Sequence, residues 1–151
     1  MDDAKARLAM LGRAAGRYRG VGRNHEGEQF AGTIEIAPIA EGSSLSVVFP
    51  ARAEDSATVY HSETSLIAAD EAGTLTLWNL GNDLGYLAPH RLVSWEEGDA
   101  GATAVFRVGA GDSFTEEITL SVDGDRVGYD FAWGFPGNPM APRSSVLMGP
   151  A

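Results

Sequence analysis

The sequence predicts an all-β protein: a closed, antiparallel, up-and-down barrel of about ten strands behind one short N-terminal helix. Three observations predict it. After Gly16 the chain breaks into apolar-rich segments of five to ten residues, punctuated by Gly, Asp, Asn or Pro. Several of these alternate with a period of two, which is the mark of a strand with one buried face. No helical crossover separates them, so neighbours pair as hairpins, and ten strands laid flat would leave unpaired edges that closure removes.

Only the start of the chain has helical period. Ala4, Leu8, Leu11 and Ala15 fall on one stripe, with Asp2 or Asp3 placed to cap it and Gly12 and Gly16 to stop it. The stripe is short and narrow, as expected of a helix that plugs or covers something, and residues 1–15 are assigned to it. Residues 16–151 are assigned to the barrel, in one domain spanning 1–151. The predicted strands are 16–23, 29–38, 44–53, 57–66, 73–80, 84–93, 102–108, 114–122, 126–134 and 142–149. Phe30, Gly32, Ile34 and Ile36 share a face against Thr33 and Glu35. Phe114, Glu116, Ile118, Leu120 and Val122 oppose Thr115, Glu117, Thr119 and Ser121, and Val127, Tyr129, Phe131 and Trp133 oppose Asp130. Asp123-Gly124 is a favoured two-residue hairpin turn. Gly134–Pro142 is too rich in Pro and Gly for a strand and reads as a longer loop. A barrel of this size is expected to have an interior wider than side chains fill, and to hold a ligand there.

Composition removes several functions. The 151 residues include no Cys, which excludes disulfides and thiolate metal sites. No apolar run reaches the ~18–20 residues of a membrane span, and no signal peptide is evident, so a cytoplasmic location is expected. The net charge of −10 is uneven. Residues 1–23 carry six basic side chains against Asp2 and Asp3, a balance of +4, while the remainder carries five basic and nineteen acidic residues, −14. An acidic body repels phosphate backbones, so nucleic acid is not an expected partner. Gly16-Arg17-Tyr18-Arg19-Gly20-Val21-Gly22 follows a helix rather than a strand, so it is not a phosphate loop; its glycines fit a bent first strand that lets the helix approach.

Three constellations could carry chemistry. In Tyr60-His61-Ser62-Glu63-Thr64, His61 and Glu63 share a strand face, and a carboxylate beside His fixes its tautomer and raises its basicity. His90, in Pro89-His90-Arg91, could join His61 in binding a metal, but two His without a further donor do not make a zinc site, and no metal is expected. His25, beside Glu26 in a predicted turn, is expected to be solvated. The aromatics Tyr18, Trp78, Tyr86, Trp95, Phe106, Tyr129, Phe131 and Trp133 supply core, and some could wall a cavity.

Three segments resemble the nitrobindin-like proteins, small barrels akin to fatty-acid-binding proteins, within the calycin and lipocalin-like barrels. Gly16-x-Tyr18-x-Gly20-x-Gly22 is similar to that family's G-x-W-x-G-x-G opening, with Tyr for Trp. His61-Ser62-Glu63-Thr64 is similar to its H-x-E-T/C-G stretch, with Ser65 for Gly. Asn138-Pro139-Met140-Ala141-Pro142-Arg143-Ser144 is similar to its N-P-x-x-P-H-L stretch. The resemblance implies a haem b held by the His of the last motif, with nitric oxide and peroxynitrite chemistry. Arg143 stands at that position, and a guanidinium has no lone pair for iron; Met140 and Met148 are poor substitutes. The resemblance to fatty-acid-binding barrels implies instead an Arg that grips a ligand carboxylate.

The expectation is therefore non-enzymatic binding of a small hydrophobic or amphipathic, anionic molecule, with no cofactor. Arg143, His61, Glu63, Tyr60 and His90 are its polar contacts, and Trp78, Phe131 and Trp133 its walls. If Arg143 instead pairs internally, Glu63, Glu35 or another carboxylate is the expected partner. The alternatives are a haem protein ligated through His61 or His90, and a small-molecule isomerase or hydrolase using His61 and Glu63 as acid and base. A docking module acting through the basic helix is a further alternative, and a homodimer is the one assembly considered.

Overall fold

The computed structural model describes residues 2–53, 58–82, 84–110 and 113–151. Helix α1 (Asp2–Gly12) is followed by β1 (Gly16–Asn24), β2 (Gln29–Ile39), β3 (Ser44–Arg52), β4 (Val59–Ala69) and β5 (Leu75–Gly81). The second half contains β6 (Leu87–Gly98), β7 (Gly101–Val108), β8 (Thr115–Asp123), β9 (Arg126–Phe135) and β10 (Asn138–Pro150). Each strand pairs antiparallel with its sequence neighbours, and β1 pairs with β10 to close the barrel. The predicted fold class is the observed one.

Alternation sets the two faces. Phe30, Ile34 and Ile36 of β2, Ile118, Leu120 and Val122 of β8, and Val127 and Tyr129 of β9 are buried as their pattern predicts. They meet Leu45, Val47 and Phe49 of β3 and Leu75 and Leu77 of β5 in one continuous core. Leu8 and Leu11 of α1 join that core from one end, with Leu11 fully buried. The Tyr18 hydroxyl donates to the Ala14 carbonyl at 2.8 Å, tying β1 to the turn that follows the helix. The interior is thus filled by side chains over the helix end and the middle, and not left as a wide chamber. The large residues Phe49, Phe106 and Tyr129 are the reason.

Some local expectations are corrected. Ala15 is exposed and Ala14 is buried in its place, because the helix stops at Gly12 and the stripe does not continue. Residues 134–142 form no long loop: β9 runs to Phe135, Pro136-Gly137 makes the turn, and β10 begins at Asn138. Register shifts between Asn138 and Ala141 and between Pro142 and Ser144 accommodate the prolines, which cannot donate to a ladder. The side chain of Asp2, proposed as a cap, and Ala57, proposed as the start of a strand, lie outside the described residues.

Gly20 and Gly22 of the opening motif serve the barrel seam. A Cβ on Gly22 would lie 2.5 Å from the Ser145 oxygen and 2.8 Å from the Val146 Cβ, and one on Gly20 would overlap the Leu147 carbonyl of β10. Only hydrogen there lets β1 coil tightly enough against β10. Gly22→Ala is therefore expected to destabilise the protein by about 1–3 kcal/mol, read as a lower denaturation midpoint at unchanged m-value.

Candidate functional site

At the end of the barrel opposite α1 the core opens into a cavity of about 200 Å³. Its walls come from the end of β1, the starts of β2 and β4, the end of β3, and the mouth-side stretches of β8, β9 and β10. Phe30, Phe49, Phe131 and Trp133 provide apolar surface; His61, Glu116 and Arg143 provide polar groups between them.

His61 and Glu63 share the inner face, as the alternation of β4 predicts, and His61 Nε2 lies 2.8 Å from Glu63 Oε2. The other oxygen, Oε1, accepts from the hydroxyl of Tyr129 in a short hydrogen bond. Glu63 is 3% exposed, and a carboxylate that deep is stable only when donors replace the lost water. Both its oxygens are engaged within the protein, so Glu63 acts on His61 and not directly on a ligand. Burial, then the negative charge of Glu63 and its hydrogen bond, push the Tyr129 hydroxyl well above the usual tyrosine value near 10. Tyr129 therefore stays a proton-bearing donor at any physiological pH.

His90 is fully buried and does not line the cavity, which corrects its place among the ligand contacts. It stands behind Glu116, with Nε2 2.8 Å from Glu116 Oε1 and Nδ1 3.1 Å from the Ala88 carbonyl oxygen. His61 and His90 are thus each committed to a different carboxylate, and not to a common metal.

Arg143 lies against the cavity, with its guanidinium over the Trp133 ring at 4.1 Å from the centroid and its Nε donating to the Trp133 carbonyl at 3.1 Å. Neither expected internal partner meets it. Glu63 is held by His61 and Tyr129, and Glu35 points outward to Arg17 at 2.7 Å. Among the described residues the terminal nitrogens of Arg143 have no hydrogen-bond partner.

Phe131 and Trp133 wall the cavity as expected, and Tyr60 stands at its rim. Trp78 does not. It alternates with buried Leu77 and Asn79 and pairs across the strands with Leu66 and Pro89, on the outer face. A single-residue offset in a strand exchanges inside for outside. His25 sits in the β1–β2 turn as predicted, yet its ring lines the cavity edge-on to Trp133, 5.9 Å between centroids, so it is not merely solvated. Glu116 and Tyr129 were not among the expected contacts, although alternation alone had placed both on inward faces.

At Arg143, His90 and His61, the positions expected to meet a haem iron, the donors are absent or engaged. Arg143 has no lone pair, the nitrogens of His90 are taken, and His61 Nε2 faces Glu63. The volume also lies below the ~300–1,000 Å³ of sites for drug-sized ligands.

Fold and site together define a closed ten-stranded antiparallel barrel, plugged at one end and carrying an aromatic, charged cavity at the other. Known structures share that architecture. The crystal structure of Rv2717c from M. tuberculosis superposes with a TM-score of 0.78 at 14% identity, covering 95% of this chain and 96% of that one. EF1p2_mFAP2b bound to DFHBI superposes with a TM-score of 0.52 at 11% identity, covering 97% and 99%. At these identities the likeness is one of fold. No protein-family model and no curated protein matches the chain.

The position of Tyr129 fixes an alkaline response. Because its folded value is raised, the native state holds this proton more tightly than the unfolded chain. Its contribution is complete below pH 10 or so and is lost as pH rises further, by up to ~1.4 kcal/mol per pH unit. Tyr129→Phe is expected to flatten the alkaline limb of a stability–pH curve, while costing about 1–3 kcal/mol at neutral pH by taking one donor from Glu63.

Proposed function

We propose that this chain binds a small amphipathic molecule with an anionic group, seated in the mouth cavity and not processed there. The observation that carries this is Arg143: a guanidinium held over Trp133, against a cavity, with its terminal N–H groups unpaired among the described residues. A partly buried cation without a counter-charge is costly, and a ligand carboxylate or phosphate would offset that cost with a charge-assisted, forked pair. Phe30, Phe49, Phe131 and Trp133 would cover the apolar body.

The volume narrows the ligand. About 200 Å³ equals roughly seven water molecules in the liquid. That admits a single ring or a short chain, not the long tail of a fatty acid, because Phe49, Tyr129 and Phe106 occupy the space a tail would need. Of the family resemblance this reading keeps the Arg-held anion of the fatty-acid-binding barrels and gives up haem. EF1p2_mFAP2b, bound to DFHBI, is an instance of a similar barrel holding a small molecule. Acid–base catalysis by His61 and Glu63 ranks lower, since both Glu63 oxygens already accept hydrogen bonds from the protein.

Benzoate is a suitable first probe, followed by calorimetry and by tryptophan fluorescence. Saturable binding is expected, weakened about 10- to 100-fold by Arg143→Gln. Equal affinity of wild type and Arg143→Gln would remove the role assigned to Arg143.

A further inference from the structure

We infer that the cavity selects, among small anions, those that also carry a hydrogen-bond donor: hydroxy or amino derivatives of a small aromatic or short-chain acid. This rests on the reading of Arg143 above and adds a second recognition point, Glu116.

His90 Nδ1 lies 3.1 Å from the carbonyl oxygen of Ala88, a group that only accepts, so Nδ1 bears a hydrogen. His90 Nε2 lies 2.8 Å from Glu116 Oε1, so a proton lies between them as well. Two arrangements satisfy both contacts. Either His90 is an imidazolium donating to a carboxylate, or a neutral His90 accepts from a carboxylic acid protonated at Oε1. In both arrangements Oε2 of Glu116 carries no proton and can only accept.

That oxygen has no partner among the described residues. Glu116 is 8% exposed and lines the cavity, and among the described residues its hydrogen bond is the one between Oε1 and His90 Nε2. No described side-chain oxygen is both fully buried and unsatisfied, so Oε2, without a partner among the described residues, is not fully enclosed, and Glu116 lines the cavity. Glu116 is also the cross-strand neighbour of Trp133, whose ring carries Arg143. One wall thus presents a fixed acceptor and a fixed cationic donor to the same small volume. An anion with no donor would satisfy Arg143 and leave Glu116 Oε2 facing apolar surface or a trapped water. An anion with a correctly placed hydroxyl or amino group would satisfy both. Sites built to receive a hydroxyl discriminate strongly against analogues that lack it, because the buried acceptor is then left unpaired.

The test is calorimetric titration of the full chain with benzoate, the three hydroxybenzoates and the three methoxybenzoates. The methoxy series keeps the ring oxygen and removes its donor. At least one hydroxybenzoate is expected to bind about tenfold or more tightly than benzoate and than its own methoxy partner. The double variant Glu116→Leu/His90→Phe removes acceptor and buried imidazole together, so neither is stranded. It is expected to abolish the preference. If benzoate binds but no hydroxybenzoate exceeds it, the role of Glu116 is overturned while the anion site at Arg143 stands. A preference that persists in the folded double variant also overturns it. If none of the seven compounds binds, the anion-binding reading fails and this inference falls with it.

Discussion

Closure of β1 onto β10 is the constraint from which the rest of the molecule follows. A ten-stranded meander has two edges, and joining them satisfies every strand at once, but only if the ribbon coils sharply where it meets itself. The first strand has almost no side-chain volume on its inner face at that seam: Gly20 and Gly22 stand where any Cβ would overlap β10. Once the seam is shut, alternate residues along most of the strands are committed to one interior. With no disulfide to assist, what that interior contains then decides both stability and chemistry.

The interior is graded along the barrel axis. Near α1 it is aliphatic and closed by Leu8 and Leu11; in the middle it is aromatic; at the mouth it contains two carboxylates, Glu63 and Glu116. Each carboxylate is tolerated because a histidine stands against it, and Glu63 has Tyr129 as a second donor. These pairs take up charge inside the protein. Arg143 is different in kind, since its guanidinium rests on an indole face and meets no carboxylate among the described residues. Among the described residues the mouth therefore combines groups already balanced with a cation that is not, and on the reading proposed above a ligand's anion would supply the balance.

Much of this was legible in the sequence, because a period of two is a direct record of a strand's faces. The order of elements, the inward set on β2, β8 and β9, and the sharing of one face by His61 and Glu63 all follow from it. Trp78 was misplaced because β5 reads Leu-Thr-Leu-Trp-Asn-Leu, apolar residues on both faces, so the pattern does not say which is inside. Its inner face carries Asn79, buried against Ser65 at 3.0 Å, where a tryptophan had been expected. Residues 134–142 were read as a loop because prolines oppose regular strands, whereas register shifts let a strand carry them. The pairings His90–Glu116 and Glu63–Tyr129 join residues 26 and 66 positions apart. Such partners depend on which strands become neighbours, and on register, which no single segment encodes. Glu116 itself was visible as the one charged residue on an otherwise apolar face, a signal that a buried carboxylate needs a partner.

The helix that fills one end makes the molecule a cup and not a tube. The ligand proposed above would enter and leave at the other end, past Tyr60 and the His25–Trp133 edge. On that reading the lip residues would set how fast exchange occurs, and the floor how tightly the ligand is held. Evolution or engineering could adjust dwell time at the lip without disturbing the balanced pairs beneath it.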